Sequence, residues 1–405
     1  MKPRISRFVC WALLIATFVW IILAIFDSFG QRRVFHVEGA EFLSDYTTPR
    51  ACASADDPYR PCVVKDVDAC YPALAYAILR IFPESVSSGV VLTLLMTVIY
   101  ICSLTAISRW KGQPPSALKS WDVALPVVVC AVSAPMLFTM ERGNLVILSA
   151  AGAIFFCVFY DSASRFLRVV AAFALALAVM LKIAPIVFAL LMFIPSGNGR
   201  AGLSRRCLRF DVSFLLTLFF SLLVLFFVPF LFFGGVPDGI ASWLDNAKQN
   251  SMEYALATRW GFVALGRAVH HALGNDLHSP WFCYSACRAA SIMLGLMCLA
   301  VLAYFAVKNR TVAFSQRIFL VASSMLLIFP PMHFYAALYL LPVFVIRVNE
   351  WRFSRIDVFE ATCWFFILVP LQIPFGASSL NTPLVAMAHL GLVGTAMYNL
   401  FFRPQ

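Results

Sequence analysis

The sequence predicts an all-α membrane protein with about twelve transmembrane helices. Hydrophobic residues make up 61% of its 405 residues and charged residues only 13%, and its mean hydropathy is +0.84. A soluble domain carries roughly 25% charged residues. Apolar runs long enough to cross a bilayer recur along the chain, and no soluble domain or linker separates them. We therefore predict a single integral-membrane domain over residues 1–405.

The basic residues predict how these helices are oriented. Three of them precede the first apolar run, Phe8–Phe26, and the most basic loop covers residues 195–209. Short loops rich in Lys and Arg stay on the cytoplasmic side of a membrane. Both termini are therefore predicted to be cytoplasmic, in an inner or plasma membrane. The first run is longer than the apolar part of a signal peptide and no small-x-small cleavage pattern follows it, which predicts that it is retained.

The net charge of +11 does not indicate a nucleic-acid partner. The basic residues cluster in short loops, as topology determinants do. No basic stripe with interleaved aromatic residues exists in the sequence. Membrane lipids are the partners that this distribution predicts.

Two long segments are predicted on the extracytoplasmic side, residues 27–87 and 234–281. In the first, Val37–Tyr46 and Ala73–Phe82 have amphipathic patterns typical of short helices that lie in the membrane interface. Between the two segments the apolar sequence breaks at Lys182–Pro185, which predicts two short helices meeting near the outer interface. Three tryptophans of the second segment are predicted interface anchors: Trp243, Trp260 and Trp281.

The twelve cysteines do not form a metal-binding pattern. Cys283 and Cys287 have no histidine partners and no paired zinc spacing occurs, so we predict no metal and no cofactor. The first extracytoplasmic segment carries Cys52, Cys62 and Cys70. In an oxidising compartment one pair of these could form a disulfide, and the absence of a disulfide is an equal alternative.

Polar side chains that fall outside the predicted cytoplasmic loops all map to the extracytoplasmic side. Ionisable groups within or beside membrane spans are costly and tend to be functional. A set that converges on one face predicts a cavity at the outer leaflet. The candidate site residues are Asp45, Tyr59, Tyr71, Glu141, Arg142, Asn144, Lys182, Arg259 and His333.

These residues fall in short motifs with a fixed order. The motifs are Asp45-Tyr46, Asp57-Pro58-Tyr59, Tyr71-Pro72-Ala73-Leu74, Glu141-Arg142-Gly143-Asn144, Lys182-x-x-Pro185 and Pro330-Pro331-Met332-His333-Phe334-Tyr335. Together, over roughly residues 1–350, they resemble the motifs of glycosyltransferase family 87. Ala73 departs from the family pattern, which often has a second proline there.

The resemblance implies a GT-C-type membrane enzyme that transfers a hexosyl or pentosyl group with inversion. The implied donor is a polyprenyl-phosphate sugar, the acceptor is a lipid-linked or cell-envelope glycan, and the reaction takes place at the extracytoplasmic face. A carboxylate in a partly dry pocket can take the proton of the acceptor hydroxyl, which is the role we assign to Asp45. Cations must hold the leaving phosphate. The candidates are Arg142, Lys182, Arg259 and His333, with His333 also a catalytic candidate. Tyr59, Tyr71, Glu141 and Asn144 are assigned to substrate binding.

Structural roles compete with these assignments. Asp45 could be a solvated loop acid or a helix cap, Glu141 and Arg142 could pair with each other, and Lys182 could extend to the interface. Tyr59 and Tyr71 could be interface aromatics, His333 could cap a helix, and Asp57 could cap its own turn. Two other functions also compete: a transporter or flippase of lipid-linked sugars, and a non-catalytic subunit of an envelope-assembly complex.

Overall fold

The computed structural model describes most of the chain. It covers residues 2–28, 42–55, 57–59, 71–111, 120–194, 212–233, 235–253, 260–273, 283–308, 312–329, 333–351, 354–369, 374–375, 378–379 and 381–402. Arg259, Cys62, Cys70 and Trp281 lie outside the described residues.

The described residues are almost entirely helical. The α-helices are α1 Lys2–Ser28, α2 Ser44–Ala53, α3 Ala73–Ile81, α4 Val86–Lys111, α5 Ser120–Ala131, α6 Ala134–Arg142, α7 Val146–Phe159, α8 Arg165–Leu181, α9 Val212–Phe230, α10 Val236–Glu253, α11 Gly261–Ala272, α12 Tyr284–Val307, α13 Phe314–Ile328, α14 Leu341–Arg347, α15 Arg355–Leu368 and α16 Asn381–Phe402. Two 3₁₀ helices cover Ala184–Phe193 and Phe334–Tyr339, and a two-residue antiparallel pair joins β1 Pro374–Phe375 to β2 Ser378–Ser379.

Among the described residues, fewer helices have the length and composition of a membrane span than the sequence predicts. Within the described residues, four are long and apolar enough: Val86–Trp110, Val212–Phe230, Tyr284–Val307 and Thr382–Phe402. Helices α5 and α6, bent by 51° at a short break, make a fifth if they form one span. The prediction of about twelve spans is therefore not confirmed. Several apolar runs form shorter helices instead: α7 has 14 residues and extends about 21 Å, against a hydrocarbon core of about 30 Å.

Small residues let the central helices approach closely. A Cβ placed on Gly152 of α7 would lie 2.7 Å from the carbonyl oxygen of Ala174 in α8. The hydroxyl of Ser149 donates to the carbonyl oxygen of Ala178 at 2.7 Å. Small residues and hydroxyl hydrogen bonds of this kind hold helices together where lipid surrounds them. They fix α7 and α8, and with them the positions of Asn144 and Lys182 at the ends of these helices.

A polar cluster lies at the end of α7 that is far from Asn144. Tyr160 follows the last residue of α7, and its hydroxyl oxygen accepts a hydrogen bond from Arg317 Nη1 at 3.0 Å. The nearby Ser315 hydroxyl donates to Glu350 Oε2 at 3.2 Å. The helix thus separates this cluster from the predicted site by about 21 Å.

The same far end contains a buried ion pair. Arg347 donates from Nε and Nη2 to the two carboxylate oxygens of Glu360, both at 3.1 Å. Trp351 Nε1 and Asn399 Nδ2 donate to the same carboxylate at 2.9 and 3.1 Å. Arg347 also donates from Nη1 to Glu350 at 2.9 Å. This network joins α14, α15 and α16.

The prediction that Trp243 and Trp260 are interface anchors is corrected by the structure. Trp243 and Trp260 are 8% and 1% exposed, so they belong to the packed core and not to a solvent-facing anchor. The indole nitrogen of Trp260 donates to the carbonyl oxygen of His333 at 3.0 Å. Because an internal partner satisfies this N–H, the ring does not need the interface to bury its apolar surface.

Candidate active site

A strained turn places Asp45 in the first turn of α2. Leu43, just before this helix, has a positive φ of 57°. Its N–H donates to the carbonyl oxygen of Glu141 at 2.8 Å. A left-handed conformation costs a residue other than glycine roughly 1–2 kcal/mol, and this contact with α6 opposes that cost. Glu141, predicted to bind substrate, thus contributes a backbone oxygen that anchors the turn.

Two glycines make room for this turn. A Cβ on Gly143 would lie 2.9 Å from Leu43 Cδ2 and 3.1 Å from the Cβ of Tyr46. A Cβ on Gly89 of α4 would lie 2.6 Å from the Tyr46 ring. Gly143 also has a φ of +65° and ends α6. The turn that contains Asp45 therefore packs directly against the end of α6.

Asp45 is held by two residues that lie almost a hundred positions later. Arg142 donates from Nε to Oδ2 at 2.8 Å and from Nη2 to Oδ1 at 2.6 Å. Asn144 Nδ2 donates to Oδ2 at 2.6 Å. The amide oxygen of Asn144 accepts from the N–H of Val146 at 2.9 Å, which turns the NH₂ group toward Asp45. Arg142 therefore pairs with Asp45 and not, as the structural alternative proposed, with Glu141.

These contacts change the acidity of Asp45. Burial acts to raise the pKa of its carboxyl group. The hydrogen bond and charge of Arg142 oppose burial, with smaller effects from the Asn144 hydrogen bond and the charge of Lys182. The net result is a pKa below the usual value of 3.8, so Asp45 is ionised at neutral pH.

Lys182 sits between two tyrosines at the end of α8. Its Nζ lies 4.3 Å from the ring centroid of Tyr71 and 5.5 Å from that of Tyr335. The chain breaks here as predicted: α8 ends at Leu181, and Lys182 has an extended backbone before the 3₁₀ helix. Aromatic faces attract an ammonium group, so the tyrosines hold this cation near Asp45.

His333 joins the cluster through Tyr335. The two rings have centroids 5.3 Å apart, and the Tyr335 ring also stacks on Phe138 at 6.4 Å. Arg142 lies over the same Phe138 ring at 5.7 Å. The late motif and the Glu141–Asn144 motif thus meet around Tyr335.

Tyr59 is buried and contacts the backbone of Tyr71. It is 2% exposed, and its hydroxyl donates to the carbonyl oxygen of Tyr71 at 3.1 Å. Its N–H donates to Asp57 Oδ1 at 2.9 Å, which is the turn-capping role considered for Asp57. Tyr59 therefore positions Tyr71, while Tyr71 faces Lys182.

The comparisons with known proteins bear on this cluster. The model of glycosyltransferase family 87 matches residues 71–330, which is more than half of the chain. The chain belongs to glycosyltransferase family 87. No curated protein and no solved structure matches it. The family and the apolar helices together identify an integral-membrane glycosyltransferase.

The family match does not reach the residue at the centre of the cluster. Asp45 lies before the matched residues 71–330, and His333 lies just after them. Arg142, Asn144 and Lys182 lie within them. The ion pair with Arg142 therefore connects Asp45 physically to the part of the chain that defines the family 87 glycosyltransferase.

Sequence reasoning missed three residues of the cluster. Tyr335 stood in a quoted motif but received no role, although an aromatic residue two positions after His333 was a usable signal. Phe138 lies four residues before Arg142, a spacing that places both on one face of α6. Trp260 gave no comparable signal, because its partner, the carbonyl of His333, lies 73 residues later.

Replacing Gly143 with alanine should disturb the packing of the Asp45 turn against the end of α6. An alanine at φ +65° costs roughly 1–2 kcal/mol, and its Cβ would crowd Leu43 at 2.9 Å. We expect a lower melting temperature for the purified glycosyltransferase. Gly394→Ala is the matched control, because a Cβ there meets nothing within 4 Å. Equal melting temperatures of the two variants would contradict the close packing of the Asp45 turn on Gly143.

Proposed function

We propose that this family 87 glycosyltransferase moves a hexosyl or pentosyl group from a polyprenyl-phosphate sugar to a hydroxyl of a lipid-linked or cell-envelope glycan. The reaction would take place at the extracytoplasmic face, with Asp45 as general base. One observation carries the proposal: the carboxylate of Asp45 accepts hydrogen bonds from Arg142 and Asn144, in a cluster that also holds Lys182 against Tyr71. Inverting transfer from a phosphate donor needs such a neighbouring base and cations.

In the proposed reaction the acceptor hydroxyl attacks the anomeric carbon of the donor from the face opposite the phosphate. A carbon–oxygen bond to the acceptor forms while the bond between the anomeric carbon and the phosphate oxygen breaks. The electron pair of that bond leaves with the polyprenyl phosphate. The proton of the hydroxyl passes to Asp45, and the anomeric configuration is inverted.

The other residues of the cluster have supporting roles in this proposal. Arg142 can form two parallel hydrogen bonds to a phosphate, whereas Lys182 acts as a point charge. Tyr71 and Tyr335 orient Lys182 and present aromatic faces to the sugar. His333, beside Tyr335, can donate a hydrogen bond to the phosphate or the sugar. Arg259 is a proposed phosphate ligand on sequence grounds alone.

The proposal is tested by the lipids and glycans of cells from which the gene has been deleted. Mass spectrometry should find an envelope glycan or glycolipid that lacks one sugar, and the product should return when the wild-type gene is restored. A purified protein that exchanges labelled lipid-linked sugar across proteoliposomes without forming a new glycosidic bond would instead identify a flippase. An unchanged set of glycans and glycolipids in the deletion strain would contradict the transferase.

Lys182→Gln should impair use of the donor. The change shortens the side chain by one methylene, keeps its end polar and removes the cation that faces Tyr71 at 4.3 Å. Losing one charge-assisted contact to a phosphate of about 1.5–3 kcal/mol should raise the donor KM at least tenfold. Lys308→Gln is the control, because Lys308 is exposed at the end of α12. An unchanged donor KM would remove Lys182 from phosphate binding.

A further inference from the structure

In the proposed function Asp45 must accept a proton and Arg142 must bind the donor phosphate. The observed contacts between these two residues oppose both roles. Both oxygens of Asp45 accept hydrogen bonds, three in total, at 2.6–2.8 Å. A carboxylate bound in this way is stabilised as an anion and is a poor base. The base must therefore lose part of this hydrogen bonding before it can take a proton.

The hydrogen-bond donors of Arg142 are likewise occupied by Asp45. Its Nε and Nη2 form the side of the guanidinium that grips a carboxylate or a phosphate with two parallel hydrogen bonds, and Asp45 occupies both. A donor phosphate that binds this side must compete directly with Asp45.

We propose that Arg142 exchanges Asp45 for the phosphate of the donor, and that this exchange releases Asp45 to act as the base. The inference rests on the proposed function and adds an order of events to it. The donor must bind first, because only then does Asp45 become basic enough to accept the proton of the acceptor hydroxyl. The same exchange keeps the base inactive toward hydroxyl groups whenever Arg142 holds it.

The surrounding contacts suit such an exchange. Arg142 is the last residue of α6, and its side chain is 23% exposed, against 15% for Asp45, so the cation is the more accessible partner. Asn144 stays fixed because its amide oxygen is bound by the N–H of Val146. It therefore keeps one hydrogen bond on Oδ2 and holds Asp45 in place when Arg142 leaves.

Lys182 provides the second cation that the exchange needs. Tyr71 and Tyr335 hold its Nζ from two sides at 4.3 and 5.5 Å, independently of the ion pair. Lys182 can attract the phosphate first, and its charge still acts on Asp45 afterwards. After release, bond formation to the acceptor oxygen, cleavage at the phosphate oxygen and transfer of the proton to Asp45 proceed as in the proposed reaction.

The exchange predicts that removing the base strengthens binding of the leaving group. Full-length protein in lipid nanodiscs is titrated with farnesyl phosphate, a short polyprenyl phosphate. Asp45→Asn should bind it about tenfold more tightly than the wild type, because Arg142 no longer has to leave a carboxylate. Glu84→Gln, which removes an exposed acid of the same predicted extracytoplasmic segment, should bind like the wild type.

A double-mutant cycle separates the exchange from simple charge repulsion. In an Arg142→Gln background, Asp45→Asn should give little or no gain, because Arg142, which would exchange the carboxylate for the phosphate, is absent. A gain of the same size in both backgrounds would mean that Asp45 only repels the phosphate, and would overturn the exchange. Asp45→Ala repeats the comparison if Asp45→Asn does not fold.

The remaining outcomes distinguish the two proposals. Equal binding of farnesyl phosphate by wild type and Asp45→Asn would mean that Arg142 serves both groups at once, which overturns the exchange but leaves the transferase standing. Failure of the wild type and all variants to bind it at any concentration would overturn the polyprenyl-phosphate donor, and the exchange with it.

Discussion

Asp45→Asn should lower the rate of sugar transfer by about 10²–10⁴-fold, the contribution that a positioned general base typically makes. Asparagine has nearly the same shape, and its single amide oxygen can still accept the two hydrogen bonds that Oδ2 accepts from Arg142 and Asn144, so the turn on α6 is retained. It cannot take a proton from the acceptor. The loss should therefore appear in kcat, without an increase in the donor KM, when product formation is followed by mass spectrometry.

Glu84→Gln is the matched control for this experiment, because it removes an exposed acid from the same predicted extracytoplasmic segment, outside the cluster. It should keep close to wild-type transfer activity. Full activity of Asp45→Asn would exclude Asp45 as the base. A loss of the same size in both variants would show that acidic residues in this segment matter for folding or general charge only.

The acidity of Asp45 gives this variant a second signature, in its stability. The folded pKa of Asp45 lies below its unfolded value of 3.8. The ionised carboxylate therefore stabilises the folded protein above pH 3.8, and this stabilisation is lost as the pH falls through the folded pKa. The melting temperature of the wild type should exceed that of Asp45→Asn at neutral pH, and the difference should shrink only in strong acid.

The sequence predicted the members of this cluster better than their contacts. Asp45, Arg142 and Lys182 could be selected because charged residues are rare beside apolar runs and because they fall in family-like motifs. The pairing could not be predicted in the same way. Arg142 and Glu141 are adjacent, so pairing them was the simplest assumption, whereas the observed partner lies 97 residues away.

The prediction of about twelve spans is not confirmed, and the reason is related. An apolar run such as Val146–Phe159 shows that a helix is buried, but not whether lipid or protein covers it. In the structure this helix is surrounded by α4 and α8, and most of its residues are buried inside the protein. Trp260 was misplaced in the same way, because a tryptophan that anchors an interface and one that packs internally look identical in sequence.

Arg347 has a structural role that the orientation of the helices does not reveal. The orientation argument treats basic residues near helix ends as cytoplasmic loop residues, whereas Arg347, the last residue of α14, forms a buried ion pair with Glu360. The acid that pairs with it lies 13 residues later, on α15. The orientation argument uses only positive charges, so it could not identify this partner.

Glu360→Ala should therefore destabilise the protein strongly. Glu360 is 4% exposed, and its carboxylate accepts four hydrogen bonds, two of them from Arg347. Removing one partner of a buried ion pair typically costs about 3–5 kcal/mol. Without Glu360, Arg347 would keep only Glu350 as an ion-pair partner among the described residues. Thermal unfolding in detergent should show a large decrease in melting temperature, while Glu84→Ala, which removes an exposed acid, should leave it nearly unchanged.

Much of the cost arises because Arg347 loses its two hydrogen bonds to Glu360, so removing both charges should recover much of the loss. Apolar side chains of similar volume often replace a buried ion pair with little loss of stability. The double variant Arg347→Met with Glu360→Leu should therefore melt above Glu360→Ala. Because α7 separates this network from Asn144 by about 21 Å, the folded double variant should keep its donor KM. A double variant that melts below Glu360→Ala would show that Arg347 still stabilises the junction of α14, α15 and α16 without Glu360, which would contradict this explanation.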